Sequence, residues 1–321
     1  MATQASKRRD RFDRRPRKTK DGRRINSEPT PRDLAIVYPK LLEYRVLRAD
    51  YIHAFTGGNY DALANHLSRQ ALEPHLYLQV VKASSRGRQG DFNFFLYELG
   101  PGGKNELRKK GYVIPEKIAP VRFVDHKNLE CIFEASIELG TIADPSVQRI
   151  WGDELKAKFP KATQERPDPF KIPVFGDFFI RPDGHGPFLL SYDDKAFRLC
   201  VFEADCDTES DNSEYTSSIR FKVEAYLHIL HEQIYRSHFG SQTFVPLFVT
   251  TDPDQERKIL KRIESVIEEK KYPKDLARSI GVTSTVLYTW YDLKAERAGG
   301  HFLTRGYKRA FGLPDLYISK P

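Results

Sequence analysis

The chain alternates between stretches in which apolar residues recur at helical spacing and stretches in which they recur at strand spacing, and this pattern predicts its elements. Residues 30–118 open with three predicted helices, of which the third begins at the capping residue Asn59 and runs through YDALANHLSRQAL. Two predicted strands follow, in HLYLQVVK and FNFFLYELG, and the basic, glycine-rich segment ASSRGRQGD joins them. Three helices and a hairpin in this order predict a winged helix-turn-helix domain.

In a winged helix-turn-helix the third helix enters the major groove of DNA. The apolar positions of the predicted third helix share one face, which leaves Asn65, His66 and Arg69 toward solvent. Arg86 and Arg88 lie at the hairpin tip, where they would reach a phosphate or the minor groove. A small helical packing module with an ordinary hairpin is the alternative, and nothing in the segment indicates which DNA sequence would be read.

Residues 119–321 carry a second pattern, in which a helix, strands, a long helix, a strand and a helix follow one another. The helices are predicted in DHKNLECIFEASIELG, TSSIRFKVEAYLHILHEQIY and DQERKILKRIESVIEEKK, and the strands in IPVFGDFFI, GPFLLSYDD, KAFRLCVFEAD and FVPLFVTTD. This order predicts an α/β domain with a central sheet. The segment 275–290, DLARSIGVTSTVLYTW, fits either a second helix-turn-helix or a strand, and the β-branched and aromatic residues in TSTVLYTWY favour a strand at the sheet edge.

Acidic residues gather in this second domain, although the chain has a formal net charge of +8. Asp183 precedes one predicted strand, and Glu203 and Asp205 lie two positions apart on the next, so both of their carboxylates share a face. Three carboxylates around one point favour Mg²⁺ or Mn²⁺ over Zn²⁺, and such an ion could polarise a phosphodiester. Lys222, on the following helix, could assist catalysis there. Carboxylates that merely solvate a strand-to-helix loop are the alternative.

The positive charge is concentrated at the N-terminus, where residues 1–24 hold eleven Lys or Arg against three Asp. Residues 1–29 have no apolar periodicity and are predicted to form a disordered basic tail. A phosphate backbone is its natural partner, because each neutralised phosphate releases counterions. We therefore expect Arg8, Arg9, Arg14 and Arg15 to bind DNA. A solubilising tail, or one that binds a membrane surface, is the alternative.

Cysteine usage and hydropathy indicate the compartment. Cys131, Cys200 and Cys206 lack the spacing of a disulfide framework or a structural zinc site, which is typical of a reducing environment. The sequence has neither an apolar run of about 18 residues nor a signal peptide. These observations predict a soluble, intracellular protein that has no membrane partner.

A set of short motifs resembles the replication-relaxation family of plasmid and mobile-element proteins. The resemblance covers about residues 31–312 and includes the winged N-terminal region, His126 at the start of a helix, PDG, FEADCDTES and LFVTTD. It also includes a helix that carries Lys222 and Tyr226. The resemblance implies a DNA-binding protein of a plasmid, phage or other mobile element that acts in replication or transfer, and it implies the bacterial cytoplasm as its location.

The second domain is also similar to the PD-(D/E)xK nuclease fold, which implies a restriction-endonuclease-like α/β domain. Pro182 and Asp183 match the PD of that motif, and Glu203 matches its second acid. The chain departs from the motif at Asp205, where those nucleases carry Lys. Lys222 is the candidate replacement.

Three functions follow from these observations. The first is a Mg²⁺- or Mn²⁺-dependent DNA endonuclease or nickase with Asp183, Glu203 and Asp205 as ligands and Lys222 as the assisting group. The second is a replication or mobilisation accessory factor that binds duplex DNA at an origin or other site without cutting it. The third is a transcription regulator whose second domain forms a homodimer. No HxH cluster and no GxxxxGK[ST] motif occurs, which argues against a two-histidine relaxase and an ATP-driven enzyme.

Overall fold

The computed structural model describes residues 28–72, 74–81, 95–115, 123–193, 195–206, 218–287 and 296–320. The protein is a mixed α/β protein, as the sequence predicts. The described residues up to Val124 form one compact unit, and those from Asp125 onward form a second. The predicted boundary, after residue 118, lies close to this division.

The first unit combines short helices with a three-stranded antiparallel sheet. A π-helical turn, Asp33–Val37, leads into the first helix. The helices are α1 (Tyr38–Tyr44), α2 (Ala49–Thr56), α3 (Tyr60–Gln70) and α4 (Pro101–Lys109), and the strands are β1 (Leu47–Arg48), β2 (Leu78–Val81) and β3 (Leu96–Leu99). In the sheet β3 lies between β1 and β2. The chain therefore runs helix, strand, two helices, hairpin and helix.

The helix α3 has the N-terminal cap and the buried apolar face that the sequence predicts. The Asn59 side chain accepts the backbone N–H of Ala62 at 2.9 Å, which satisfies one of the free donors of the first turn. Leu63 and Leu67 are buried, while Asn65 is exposed on the opposite side. The helix therefore packs by the apolar face that its spacing predicts.

The second unit is built on a five-stranded mixed sheet. Its helices are α5 (Val124–Ala143), α6 (Gly152–Lys156), α7 (Lys161–Gln164), α8 (Ile219–His231), α9 (Ile234–Phe239), α10 (Pro253–Lys270) and α11 (His301–Thr304). Its strands are β4 (Val147–Trp151), β5 (Ile172–Pro173), β6 (Phe179–Ile180), β7 (Phe188–Tyr192), β8 (Phe197–Asp205), β9 (Val245–Thr250), β10 (Gly281–Ser284), β11 (Gly306–Tyr307) and β12 (Leu316–Tyr317). The sheet order is β10-β9-β8-β7-β4.

Strand directions place the ends of three strands together. The strands β4, β7 and β8 form an antiparallel meander, whereas β8, β9 and β10 run parallel. The register pairs Asp205 with Thr250 and Thr250 with Ser284. Every residue of β9 is buried, as a nearly continuous apolar run predicts for a central strand. The carboxyl ends of β8, β9 and β10 therefore share one edge of the sheet.

The two faces of the sheet are covered by different helices. Phe202 of β8 stacks on Phe133 of α5 with ring centroids 4.3 Å apart. The next residue, Glu203, accepts a hydrogen bond from Tyr226 of α8. Because successive side chains of a strand point to opposite faces, α5 lies on one face and α8 on the other.

Several predicted elements need correction. The long helix predicted up to residue 235 is interrupted at Gln233, whose φ of 54° is left-handed and ends the α-helical turn. The strand predicted over 172–180 is instead the hairpin of β5 and β6, which pair with each other outside the central sheet. The edge strand predicted in TSTVLYTWY exists as β10, which starts earlier, while residues 288–295 lie outside the described residues. The sequence analysis missed β4.

Candidate functional site

Asp183 is held against the carboxyl end of β8 by the backbone. Its N–H donates to the carbonyl of Phe202 at 3.1 Å. Its Oδ2 accepts the N–H of Ala204 at 2.9 Å. The next residue, Gly184, has a φ of +63°, and a Cβ there would lie 2.5 Å from Oε1 of Glu134. The turn after Pro182 therefore needs glycine, and it fixes the Asp183 carboxylate beside the strand that carries Glu203.

Lys222 joins two of the predicted acidic residues. Its Nζ lies 2.9 Å from Oε2 of Glu203 and 3.7 Å from Oδ2 of Asp183. Tyr226, one turn further along α8, donates to the other Glu203 oxygen. The Glu203 side chain is only 2% exposed and that of Lys222 10% exposed. The prediction that Lys222 lies beside Asp183 and Glu203 agrees with this geometry.

A second group of side chains meets Asp183 from the other face of the sheet. His126 Nε2, near the start of α5, lies 3.1 Å from Oε1 of Glu130 and 3.6 Å from Oδ1 of Asp183. One ligand atom from each of these three residues lies within 4.8 Å of the others, a spacing that could hold a metal ion. Lys127 pairs with the remaining Glu130 oxygen at 2.6 Å. Asp183 thus belongs to both groups.

Asp205 makes a contact that the sequence did not predict. Its Oδ2 accepts a hydrogen bond from Gln255 Nε2 of α10 at 2.6 Å. The three-residue cluster with the spacing of a metal site contains His126, Glu130 and Asp183, whereas the predicted ligand set was Asp183, Glu203 and Asp205. The period of two does place Glu203 and Asp205 on the same face, but α8 binds one and α10 binds the other.

The electrostatics of the site follow from burial and pairing. Burial works against a charged His126, but the carboxylates of Asp183 and Glu130 outweigh it and raise the pKa of His126 to about 10. Burial also opposes ionisation of Asp183, yet His126 and Lys222 lower its pKa to about 2. For Glu203 burial dominates and raises the pKa to about 8, although Lys222 lowers it. Asp183 is therefore the ionised centre of the site.

Cys206 lies directly after β8 among these acids. Burial raises the pKa of its thiol, and the carboxylates of Asp125, Asp205, Asp183 and Glu130 raise it further. All four carboxylates are close enough to act on one sulfur, which means that the negative charge is concentrated around the end of β8. Such a concentration attracts cations. Asp207 and Glu209, which continue the acidic stretch in sequence, lie outside the described residues.

A further ionisable pair lies next to Asp183. Both oxygens of the Glu134 carboxylate are used by His185, one by its backbone N–H at 2.8 Å and the other by Nδ1 at 2.7 Å. The His185 ring also meets Trp151 edge to face, with centroids 4.8 Å apart. Glu134 thereby fixes the turn that carries Asp183.

The structure describes the positions of some of the predicted DNA-binding residues. Asn65 and Arg69 are exposed on α3, as expected. His66 was predicted to face solvent, but its Nε2 lies 2.7 Å from Oδ2 of the buried Asp33. The same oxygen accepts the Thr30 N–H at 2.7 Å, so His66 helps to tie the start of the π-helical turn to α3. The predicted contacts Arg8, Arg9, Arg14, Arg15, Arg86 and Arg88 lie outside the described residues.

Glu130 and Gln255 are site residues that sequence reasoning missed. Glu130 follows His126 by one helical turn, a spacing that places both side chains on one face, so the signal was present. Gln255 has no such signal, because its contact with Asp205 depends on how α10 packs.

Comparisons of the chain with protein-family models, with curated proteins and with solved structures give no match. Of the helices in the described part of the chain, none combines the length and hydropathy needed to cross a membrane.

Proposed function

We propose that the protein binds DNA through its first unit and hydrolyses a phosphodiester with a divalent ion in its second. The observation that carries the proposal is the position of Asp183. Its carboxylate lies at the carboxyl end of β8, within reach of His126 on one side and Lys222 on the other. A metal ligand beside a buried acid and a lysine is the arrangement that metal-assisted hydrolysis needs.

The donor set refines the choice of ion. The sequence analysis predicted an all-carboxylate site for Mg²⁺ or Mn²⁺, whereas the clustered atoms are one imidazole nitrogen and two carboxylate oxygens, from His126, Glu130 and Asp183. Two of the three ligand atoms are carboxylate oxygens, which suit Mn²⁺ as well as Mg²⁺, but Mg²⁺ demands oxygen ligands and Mn²⁺ tolerates one imidazole nitrogen among them. The residues present therefore fit Mn²⁺, and an ion held there supplies Lewis-acid polarisation of a phosphoryl oxygen.

Glu203 and Tyr226 hold the positive charge of Lys222 in place. The Lys222 ammonium, which Glu203 holds at 2.9 Å, is placed to offset negative charge that develops on the phosphate. Tyr226 donates to the same carboxylate and keeps it oriented. In this proposal Glu203 positions Lys222, and Lys222 takes the role of the lysine that the sequence lacks at position 205.

The first unit supports the DNA-binding part of the proposal. Its three helical segments precede a hairpin, and β1 joins the edge of that hairpin by pairing with β3. This is the element order of a winged helix. In this proposal α3 is the recognition helix, and its exposed Asn65 and Arg69 face the groove.

A binding-only accessory factor is the second candidate, and specific ion pairs favour it. Lys222 pairs with Glu203 at 2.9 Å and Lys127 with Glu130 at 2.6 Å. His126 contacts both Glu130 and Asp183. The acidic cluster is thereby balanced by the chain's own cations, so it can also serve as a structural network.

Incubation of supercoiled plasmid with the full chain in Mn²⁺, Mg²⁺ or EDTA decides between the two. We expect nicking in Mn²⁺ to exceed that in Mg²⁺ and to be absent in EDTA. Asp183→Asn should abolish nicking, whereas Asp193→Asn, in the exposed turn after β7, is the matched control and should retain it. Plasmid that is bound but uncut in both metals would support the accessory factor. Plasmid that is neither bound nor cut would refute both.

A further inference from the structure

A cleft of about 290 Å³ lies between the start of α8 and one face of α10. Lys258, Lys261 and Arg262 contribute three cationic side chains to it, and among the described residues its lining includes no acidic one. Their positions on α10, separated by three and four residues, place Lys258 beside Lys261 and Arg262 on one face of the helix. The described lining of the cleft is therefore concave and carries three positive charges.

The start of α8 adds to this charge. Ile219, the first residue of α8, lines the cleft. The N-terminus of a helix carries a partial positive charge and free backbone N–H groups, which favour an anion. Ser218 caps the helix by accepting the N–H of Phe221 at 3.2 Å, so α8 begins at this point. Side-chain and backbone charge in the cleft thus have the same sign.

Gln255 connects the cleft with the acidic site. It lines the cleft, and its Nε2 donates to Asp205 at the end of β8. The side chain is buried, with 3% exposed, and its Oε1 has no hydrogen-bond partner among the described residues. Gln255 therefore closes the floor of the cleft and ties it to the end of β8.

We propose that this cleft binds the phosphodiester backbone of a nucleic acid strand, which passes from Asp205 across Gln255 to Lys258, Lys261 and Arg262. The inference rests on the proposed DNA-binding function and names the path of the strand in the second unit. The cleft and the acidic site then contact different phosphates of the strand. The cationic side chains of the cleft hold one phosphate, and the acidic residues hold a cation against the next phosphate along the strand. The same arrangement serves an enzyme and a binding-only factor.

Acetylation footprinting of the full chain tests the proposal. Lysine acetylation rates are measured by mass spectrometry with and without a saturating DNA oligonucleotide in EDTA, so no cleavage is needed. We expect Lys258 and Lys261 to be acetylated severalfold more slowly with DNA. Lys158 and Lys161, which are also exposed in the second unit, are the matched controls and should be unaffected. An equal concentration of inorganic phosphate should protect none of the four.

The variant Lys258→Ala/Lys261→Ala gives a second readout. Loss of two phosphate contacts should lower the slope of log affinity against log salt by about 1.5, and Lys158→Ala/Lys161→Ala should leave it unchanged. Protection confined to the basic tail would overturn the cleft and leave the proposed DNA binding standing. If DNA protects no lysine anywhere in the chain, the proposed function fails with it. Equal protection by inorganic phosphate would mean a small-anion site and would overturn the strand path.

Discussion

Replacement of Lys222 by Met tests whether the centre of the acidic site depends on a buried ion pair. Lys222 Nζ lies 2.9 Å from Glu203 Oε2, and the two side chains are only 10% and 2% exposed. Among the described residues, the Lys222 ammonium is the cation in contact with that oxygen. Met has nearly the same length as Lys but no charge, and the change therefore isolates the electrostatic contribution.

The expected magnitude follows from burial. Because the pKa of Glu203 is raised to about 8, the test is made at about pH 9, where removal of one partner of the buried ion pair leaves an uncompensated carboxylate and costs about 3 to 5 kcal/mol. Glu203→Gln in the same chain removes the stranded charge, so the double variant should lie within about 1 kcal/mol of the wild type. Lys270 supplies a control, because it pairs with Glu224 at 2.5 Å but is 39% exposed. Lys270→Met should cost about 1 kcal/mol or less.

Urea unfolding followed by circular dichroism measures the free energy of unfolding for the wild type, Lys222→Met, Glu203→Gln, the double variant and the control Lys270→Met. The coupling energy between Lys222 and Glu203 is read from this cycle. A cost of Lys222→Met no larger than that of Lys270→Met would refute the reasoning. So would a double variant as unstable as Lys222→Met, because the loss would then arise from packing rather than from the stranded carboxylate.

Three further predictions concern other parts of the chain. Burial lowers the pKa of His238 from 6.5 to about 4. Between these two pH values the unfolded chain binds a proton that the folded chain does not, so the free energy of unfolding should fall by about 3 kcal/mol as the pH drops from 6.5 to about 4. In unfolding measurements across this range, His238→Gln should flatten the dependence, and an equally steep curve would contradict the assignment. Gly184→Ala should cost about 1 to 3 kcal/mol more than Gly176→Ala by thermal unfolding, because both glycines have positive φ but only Gly184 lacks room for a Cβ. Deletion of residues 1–24 should weaken DNA affinity and flatten its salt dependence in a titration, and an unchanged slope would remove the tail from the interface.

The sequence was sufficient where the spacing within one element decides the outcome. Asn59 caps α3 as predicted, and Glu203 and Asp205 share a face of β8 because side chains alternate along a strand. Lys222 and Tyr226 meet the same carboxylate because they lie one helical turn apart. The assignment of the chain to the replication-relaxation family stays a prediction.

Only the tertiary structure decided which elements meet at the site. Asp183 is bound to β8 by backbone hydrogen bonds to residues about twenty positions away, and His126 and Glu130 reach it from a helix on the opposite face of the sheet. Gln255 donates to Asp205 from α10, a contact between elements that the sequence did not predict. Periodicity determines which face of an element a side chain occupies. Contacts between elements depend on strand register and helix packing, which arise from the combined burial of many side chains and are not encoded by local spacing.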